Sequence, residues 1–143
     1  MVPDFTRGPH PTVDVLVERE GCLLLVRRRH DPLGWALPGG FVDPGEMVAA
    51  AAVREALEET GVRVTLKSIL HVYSDPARDH RRHTITTAFV AEGEGDPVGG
   101  DDAAEAVFFP LDQLPSPIVF DHAKIIADYC HFRLTGLRPS PYV

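Results

Sequence analysis

"GFVDPGEMVAAAAVREALEETGV", Gly40 to Val62, holds the segment on which the fold turns. From Met47 to Thr60 there is neither proline nor glycine and alanine is abundant, while Gly61 stands where a C-terminal cap belongs; this predicts a helix over 47–60. Residues three and four apart share a helix face, so Glu55, Glu58 and Glu59 form a connected acidic ridge that Arg54 can reach at Glu58. Alone, such a ridge is solvated surface whose ion pair contributes about a few tenths of a kcal/mol. The neighbouring sequence changes that reading. "LPGGFVDPGE", Leu37 to Glu46, can fold into a turn that brings its carbonyls and Glu46 to the same helix face. Clustered carboxylates beside a bare carbonyl meet the ligand demand of a hard divalent ion.

Outward from this segment, "TVDVLVE" (12–18) alternates apolar and polar side chains, and "CLLLVRR" (22–28) is a short apolar run. With Glu20-Gly21 between them, they read as paired strands. Short extended pieces are expected at "WAL" and "GFV", and two longer strands at 62–74 and 83–92, which are rich in β-branched and aromatic residues. "GEGDPVGGDDAAE" (93–105) reads as an acidic surface loop and "AVFFP" (106–110) as a further strand. "LDQLP" suits a short helical turn. A second helix over 121–134 would carry Ala123, Ile126, Ala127 and Cys130 on its apolar face and Asp121 as its cap. Strands and helices in this order fit an α+β or α/β layered domain.

The 143 residues suit one domain over 1–143, with loose tails at 1–10 and 138–143. No apolar run approaches the roughly 20 residues that cross a bilayer, and no export signal is visible, so the cytoplasm is the expected location. Two cysteines provide neither a disulfide framework nor a zinc spacing and read as buried reduced thiols. The net charge of -7 argues against a nucleic-acid polymer as partner, but not against a nucleotide held with the help of cations.

Gly40, five residues, Glu46, seven residues, then "REALEETGV" from Arg54 to Val62 resembles the complete Nudix box, with Ala56 and Val62 in its aliphatic positions. The preceding "WALPG" is similar to the family's usual approach to the box. The resemblance implies an α/β/α sandwich around a mixed β-sheet and hydrolysis of a nucleoside diphosphate linked to another group, dependent on Mg²⁺ with Mn²⁺ as substitute. It also implies roles: Glu55 and Glu59 as main metal ligands, Glu58 as an additional one, and the Gly39 carbonyl as a backbone ligand. Arg54 would orient and neutralise the acids and belongs with Glu55 and Glu58 to the implied catalytic set, while Glu46 would support the cluster and counts, with Gly40, among the substrate-binding candidates. A base must take a proton from the attacking water. Glu55 and Glu105 are the candidates, because relatives differ between a box glutamate and a loop carboxylate; Glu105 would then also be a metal ligand.

"VYSDPARDHRRHT", Val72 to Thr84, resembles the "YSDP.RDPR.H" segment of a small bacterial and archaeal ADP-ribose pyrophosphatase branch, with His80 in place of proline. Tyr73, Asp79, Arg81 and His83 are therefore substrate-binding candidates, together with Arg28 from the run Arg27–Arg29. Strand alternation forbids all three arginines from facing one site. The lone Trp35 is a packing residue first and a base-stacking one second. The leading expectation is cleavage of ADP-ribose to AMP and ribose 5-phosphate. A triphosphatase that sanitises oxidised dNTPs and a non-catalytic ligand sensor remain alternatives, and a homodimer is left open.

Overall fold

The computed structural model describes residues 7–143. A seven-stranded mixed sheet forms the centre, built from β1 (His10–Arg19), β2 (Cys22–Arg28), β3 (Trp35–Ala36), β4 (Gly39–Phe41), β5 (Arg63–Tyr73), β6 (Thr84–Glu94) and β7 (Ala103–Pro110). Two helices flank it, α1 (Val48–Thr60) and α2 (His122–Thr135). β1 runs parallel to β6 and antiparallel to β2 and β4; β5 pairs with β6, and β3 and β7 pair with β2. At the β1–β2 turn Glu20 and Gly21 both take positive φ, 52° and 77°, a backbone twist that suits a two-residue hairpin.

Both faces of the sheet are buried, and strand alternation divides the core accordingly. Val13, Val15 and Val17 of β1 and Leu24 and Val26 of β2 pack beneath Ala51, Ala52 and Ala56 of α1. Leu16, Leu23 and Leu25 point the other way, to Ile125, Ile126 and Tyr129 of α2. Alanine at the α1 contact lets the helix backbone lie close to the sheet. That closeness brings Glu55 and Glu59 to the sheet edge where β4 pairs with β1. The helix ends at Gly61, φ 70°, whose N–H bonds the Leu57 carbonyl at 2.9 Å.

Several local expectations need correction. The buried face of α2 is His122, Ile125, Ile126 and Tyr129, and Ala123 and Ala127 face solvent, because the large side chains claim the sheet. Asp121 precedes α2 but makes no side-chain cap bond, since its carboxylate is committed to Arg78. "LDQLP" forms a hydrogen-bonded turn, with Gln113 N–H donating to the Pro110 carbonyl, and no helix. Residues 93, 94 and 103–105, read as loop, extend β6 and β7. Both thiols are free and half-buried. Of the expected N-terminal tail, 1–6 lie outside the described residues and His10 already opens β1; 138–143 carry no helix or strand. No described helix is long and apolar enough to cross a membrane.

Candidate active site

A cavity of about 300 Å³ opens where β1, β4, α1 and the segment before α2 meet. Glu55 and Glu59 of α1, Gly39 and Gly40 of β4, and Asp14, Arg28, Arg81 and Phe120 are among its lining residues. The box turn is seated by glycine. A Cβ on Gly39 would run into the Val13 carbonyl oxygen of β1, and one on Gly40 would lie 2.5 Å from the Glu55 carboxyl carbon. A larger residue at Gly39 would force the turn off β1, and one at Gly40 would displace the Glu55 carboxylate.

Arg54 organises one side of the acidic ridge. Its guanidinium donates to both Glu46 oxygens at 2.8 Å, to Glu55 at 3.0 Å, to Glu58 at 3.2 Å and to the Phe41 carbonyl at 3.1 Å. Hydrogen bonds from Arg54, then from the Asp43 N–H, hold the Glu46 carboxyl down at about 2. One arginine thus ties the turn to the helix and shares a single positive charge among three glutamates, leaving the cluster net negative.

Glu59 is treated differently. It accepts a 2.8 Å bond from the Gly39 N–H, and among the described residues no arginine or lysine makes a salt bridge with it. Burial, aided by the charges of Glu55, Asp14 and Asp102, pushes its carboxyl up to about 8. Burial also raises Glu55, against the lowering effect of Arg54. A buried acid pair short of positive charge suits a cation. Among the described residues no three His, Cys, Asp or Glu side chains form a ready ion cage. Glu55 and Glu59 are the two glutamates of the lining, and a pair of carboxylates matches an ion that keeps waters and substrate oxygens in its shell.

Beneath the cavity lies a buried polar network that sequence reading missed. Arg78, only 6% exposed, grips Asp121 with two bonds of 3.0 and 2.8 Å, donates to Thr84 at 2.6 Å and lies 3.6 Å from Asp14. Asp14 accepts from the Thr86 hydroxyl at 2.7 Å. His122 accepts the Leu37 N–H on Nδ1 at 2.9 Å, and burial holds its pKa below the ordinary value. Neutral His122 therefore carries its proton on Nε2, which is 3.4 Å from Asp14. The Leu37 bond anchors the backbone just ahead of the box glycines. In sequence Asp14 was one polar residue in an alternating strand and His122 one of seven histidines, so neither carried a local signal.

The remaining sequence candidates divide. Arg28, Asp79 and Arg81 line the cavity, with Arg81 clamped to Asp79 by two bonds of 3.0 and 2.9 Å. Tyr73 is buried, bonds Asp128 at 2.9 Å and packs in the α2-side core, away from the cavity. His83 contacts the Ser74 carbonyl at 2.9 Å and is not part of the lining, and Glu46, Arg54 and Glu58 stand behind it. Trp35 packs edge-on against Phe109 at 4.8 Å. Glu105 is not brought to the acidic pair. It lies opposite Arg27 on β7 and binds it at 2.8 Å, half-exposed, while the carboxylate that loop contributes to the lining is Asp102. The physical reason is alternation: Arg28 continues the Leu24–Val26 row that faces α1, and Arg27, with Glu105 opposite, continues the other row. Glu105→Gln is accordingly expected to change kcat by no more than about threefold, whereas loss of a working base costs about 10² or more. A drop of that larger size would show that β7 reaches the reacting atoms.

The NUDIX domain pattern matches residues 8–129. The chain is 46% identical over 128 residues to the ADP-ribose pyrophosphatase of Methanocaldococcus jannaschii, covering 87% of this chain and 75% of that protein. A Bacillus subtilis relative is 37% identical over 127 residues, 80% of this chain, which spans 60% of its length. Among solved structures, a NUDIX hydrolase from Nitrosomonas europaea superposes with a TM-score of 0.80 at 29% identity, covering 91% of this chain and 74% of that one.

Proposed function

The chain belongs to the NUDIX family, and from that premise we propose that it hydrolyses ADP-ribose to AMP and ribose 5-phosphate with Mg²⁺ as its ion, Mn²⁺ being able to substitute. The observation that carries the reading is the composition of one cavity, where the cation-deficient pair Glu55 and Glu59 shares the lining with Arg28 and Arg81. A diphosphate flanked by two riboses needs both: charge neutralisation at the bond that breaks, and guanidinium donors for its other oxygens. The 46% identical relative, named for this activity, supports the choice of substrate.

Water attacks one phosphorus, the bridging P–O bond breaks, and the bridging oxygen leaves with the other phosphate. A divalent ion held by Glu55 and Glu59 would screen the diphosphate and make water easier to deprotonate. Glu55 lines the cavity with a raised pKa, which suits it to accept that proton. Arg54 keeps its carboxylate oriented from behind, and His122 and Asp14 hold the box turn at the correct distance. Arg28 takes up phosphate oxygens. A cytoplasmic site of action belongs to the same proposal.

Purified protein offered ADP-ribose, NADH, a dinucleoside polyphosphate and oxidised dGTP, with products identified, tests it. AMP and ribose 5-phosphate should form from ADP-ribose with Mg²⁺ and not with a chelator. Pyrophosphate from oxidised dGTP as the main product, or binding without turnover, would overturn the substrate assignment.

A further inference from the structure

Arg28 and Arg81 present an electrostatic problem that the reaction itself does not explain. Both line the cavity, and the charge of Arg81, after burial, is the next largest influence holding the Arg28 guanidinium below its ordinary value. The two cations therefore repel each other across a partly desolvated space. Arg81 has Asp79, but among the described residues Arg28 has no salt-bridge partner and donates only to the carbonyls of Pro32 at 2.9 Å and Asp31 at 3.4 Å. What they share is Phe120. The Arg28 guanidinium carbon sits 4.9 Å from the ring centre and that of Arg81 5.2 Å from it.

Phe120 is itself unusual. Its φ is 58°, a left-handed conformation that a bulky side chain adopts only when the surroundings over-determine it. The surroundings do so on both sides. The Trp35 N–H bonds the Pro117 carbonyl and the Val119 N–H bonds the Trp35 carbonyl, each at 2.9 Å. On the other side Asp121 is locked to Arg78 and His122 to the Leu37 N–H. Glycine would fill this backbone position without strain, yet a phenyl ring stands there with two guanidinium groups over it.

We propose that Phe120 is a positioning residue, whose ring holds Arg28 and Arg81 side by side as a paired receptor for the phosphate oxygens of a diphosphate. The negative ring face attracts each cation and so offsets their mutual repulsion before substrate arrives. The anion class rests on the proposed function; the ring's effect on the arginine pair does not.

The test uses inorganic pyrophosphate binding to the metal-free protein, measured by titration calorimetry, with melting temperature read on the same samples of wild type, Phe120→Tyr, Phe120→Leu and Phe120→Gly. Tyrosine keeps the ring face and should bind within about twofold of wild type, while leucine and glycine should bind about tenfold more weakly. The glycine variant should retain its fold, because its backbone conformation is relieved. ADP-ribose turnover should show the loss in KM far more than in kcat, with recovery in the tyrosine variant. Wild-type affinity in the leucine variant, failure of tyrosine to rescue, absence of pyrophosphate binding by wild type, or collapse of the glycine variant would each overturn the proposal. Failure of wild type to hydrolyse ADP-ribose would count against the substrate assignment alone, since the pyrophosphate comparison stands without it.

Discussion

Glu59→Gln is expected to lower kcat/KM by about 10³-fold or more while leaving the fold intact, because it removes a negative ligand from the cation-deficient end of the cavity and keeps the shape. The Gly39 N–H still finds an oxygen acceptor in the amide, so the box turn should stay seated. A second signature follows from the carboxyl pKa of about 8, raised from 4.5 chiefly by burial. Between these values the folded state holds a proton that the unfolded chain has lost. The stabilisation from that proton is complete below 4.5 and is lost as pH rises through about 8. Metal-free wild type should therefore lose stability across that window, by at most roughly 1.4 kcal/mol per pH unit from this group. Glu59→Gln should lack that component, so in chelator its melting temperature should overtake that of wild type towards the alkaline end. Added Mg²⁺ should restore wild type most at that end and do much less for the variant. Near-normal turnover in Glu59→Gln would mean the role is misassigned, and parallel pH profiles of the two metal-free proteins would contradict the buried-acid argument.

Arg78→Ala is expected to be the most destabilising single change in the cavity floor, at about 3–5 kcal/mol, because it strands buried Asp14 and half-buried Asp121 without their cation. The side chain is 6% exposed, so little water can enter to compensate. Its bonds to Asp121 and Thr84 tie the start of α2 to β6. Losing them should loosen the segment that presents Phe120 and His122. Urea unfolding measures the effect, and Arg78→Lys, which keeps the charge without the two-pronged geometry, should fall between wild type and alanine. A cost under about 1 kcal/mol for alanine would place Arg78 with ordinary surface ion pairs.

That contrast shows where sequence reading stopped. In "YSDPARDHRRHT" resemblance marked Tyr73, Asp79, Arg81 and His83 as substrate-binding candidates, but nothing local separated Arg78 from the other charged residues or Arg81 from His83. Arg78 is nevertheless buried and Arg81 borders the cavity, because the partners that separate them, Asp121 and Asp14 for one and neighbouring Asp79 for the other, are assigned by folding. Glu105 is the converse case. It stands next to the correct loop, but the strand register turns it to Arg27 and leaves Asp102 at the cavity. A shift of pairing between Arg27 and Arg28 accompanies this change, and nothing local in β2 or β7 announces it.

The sequence by itself determined which segments form the main strands, the helix over the box, the Gly61 stop, the reach of Arg54 to Glu58 and the family resemblance. All of these rest on spacings of a few residues, where backbone periodicity fixes who can meet. Tertiary structure alone decided that Glu59 is buried with no salt bridge among the described residues, that His122 and Asp14 meet beside the box turn, and that Phe120 lies under two arginines. Those outcomes depend on which face of a strand or helix is covered and on partners dozens of residues away, and burial is what turns such proximity into a shifted pKa or an expensive ion pair.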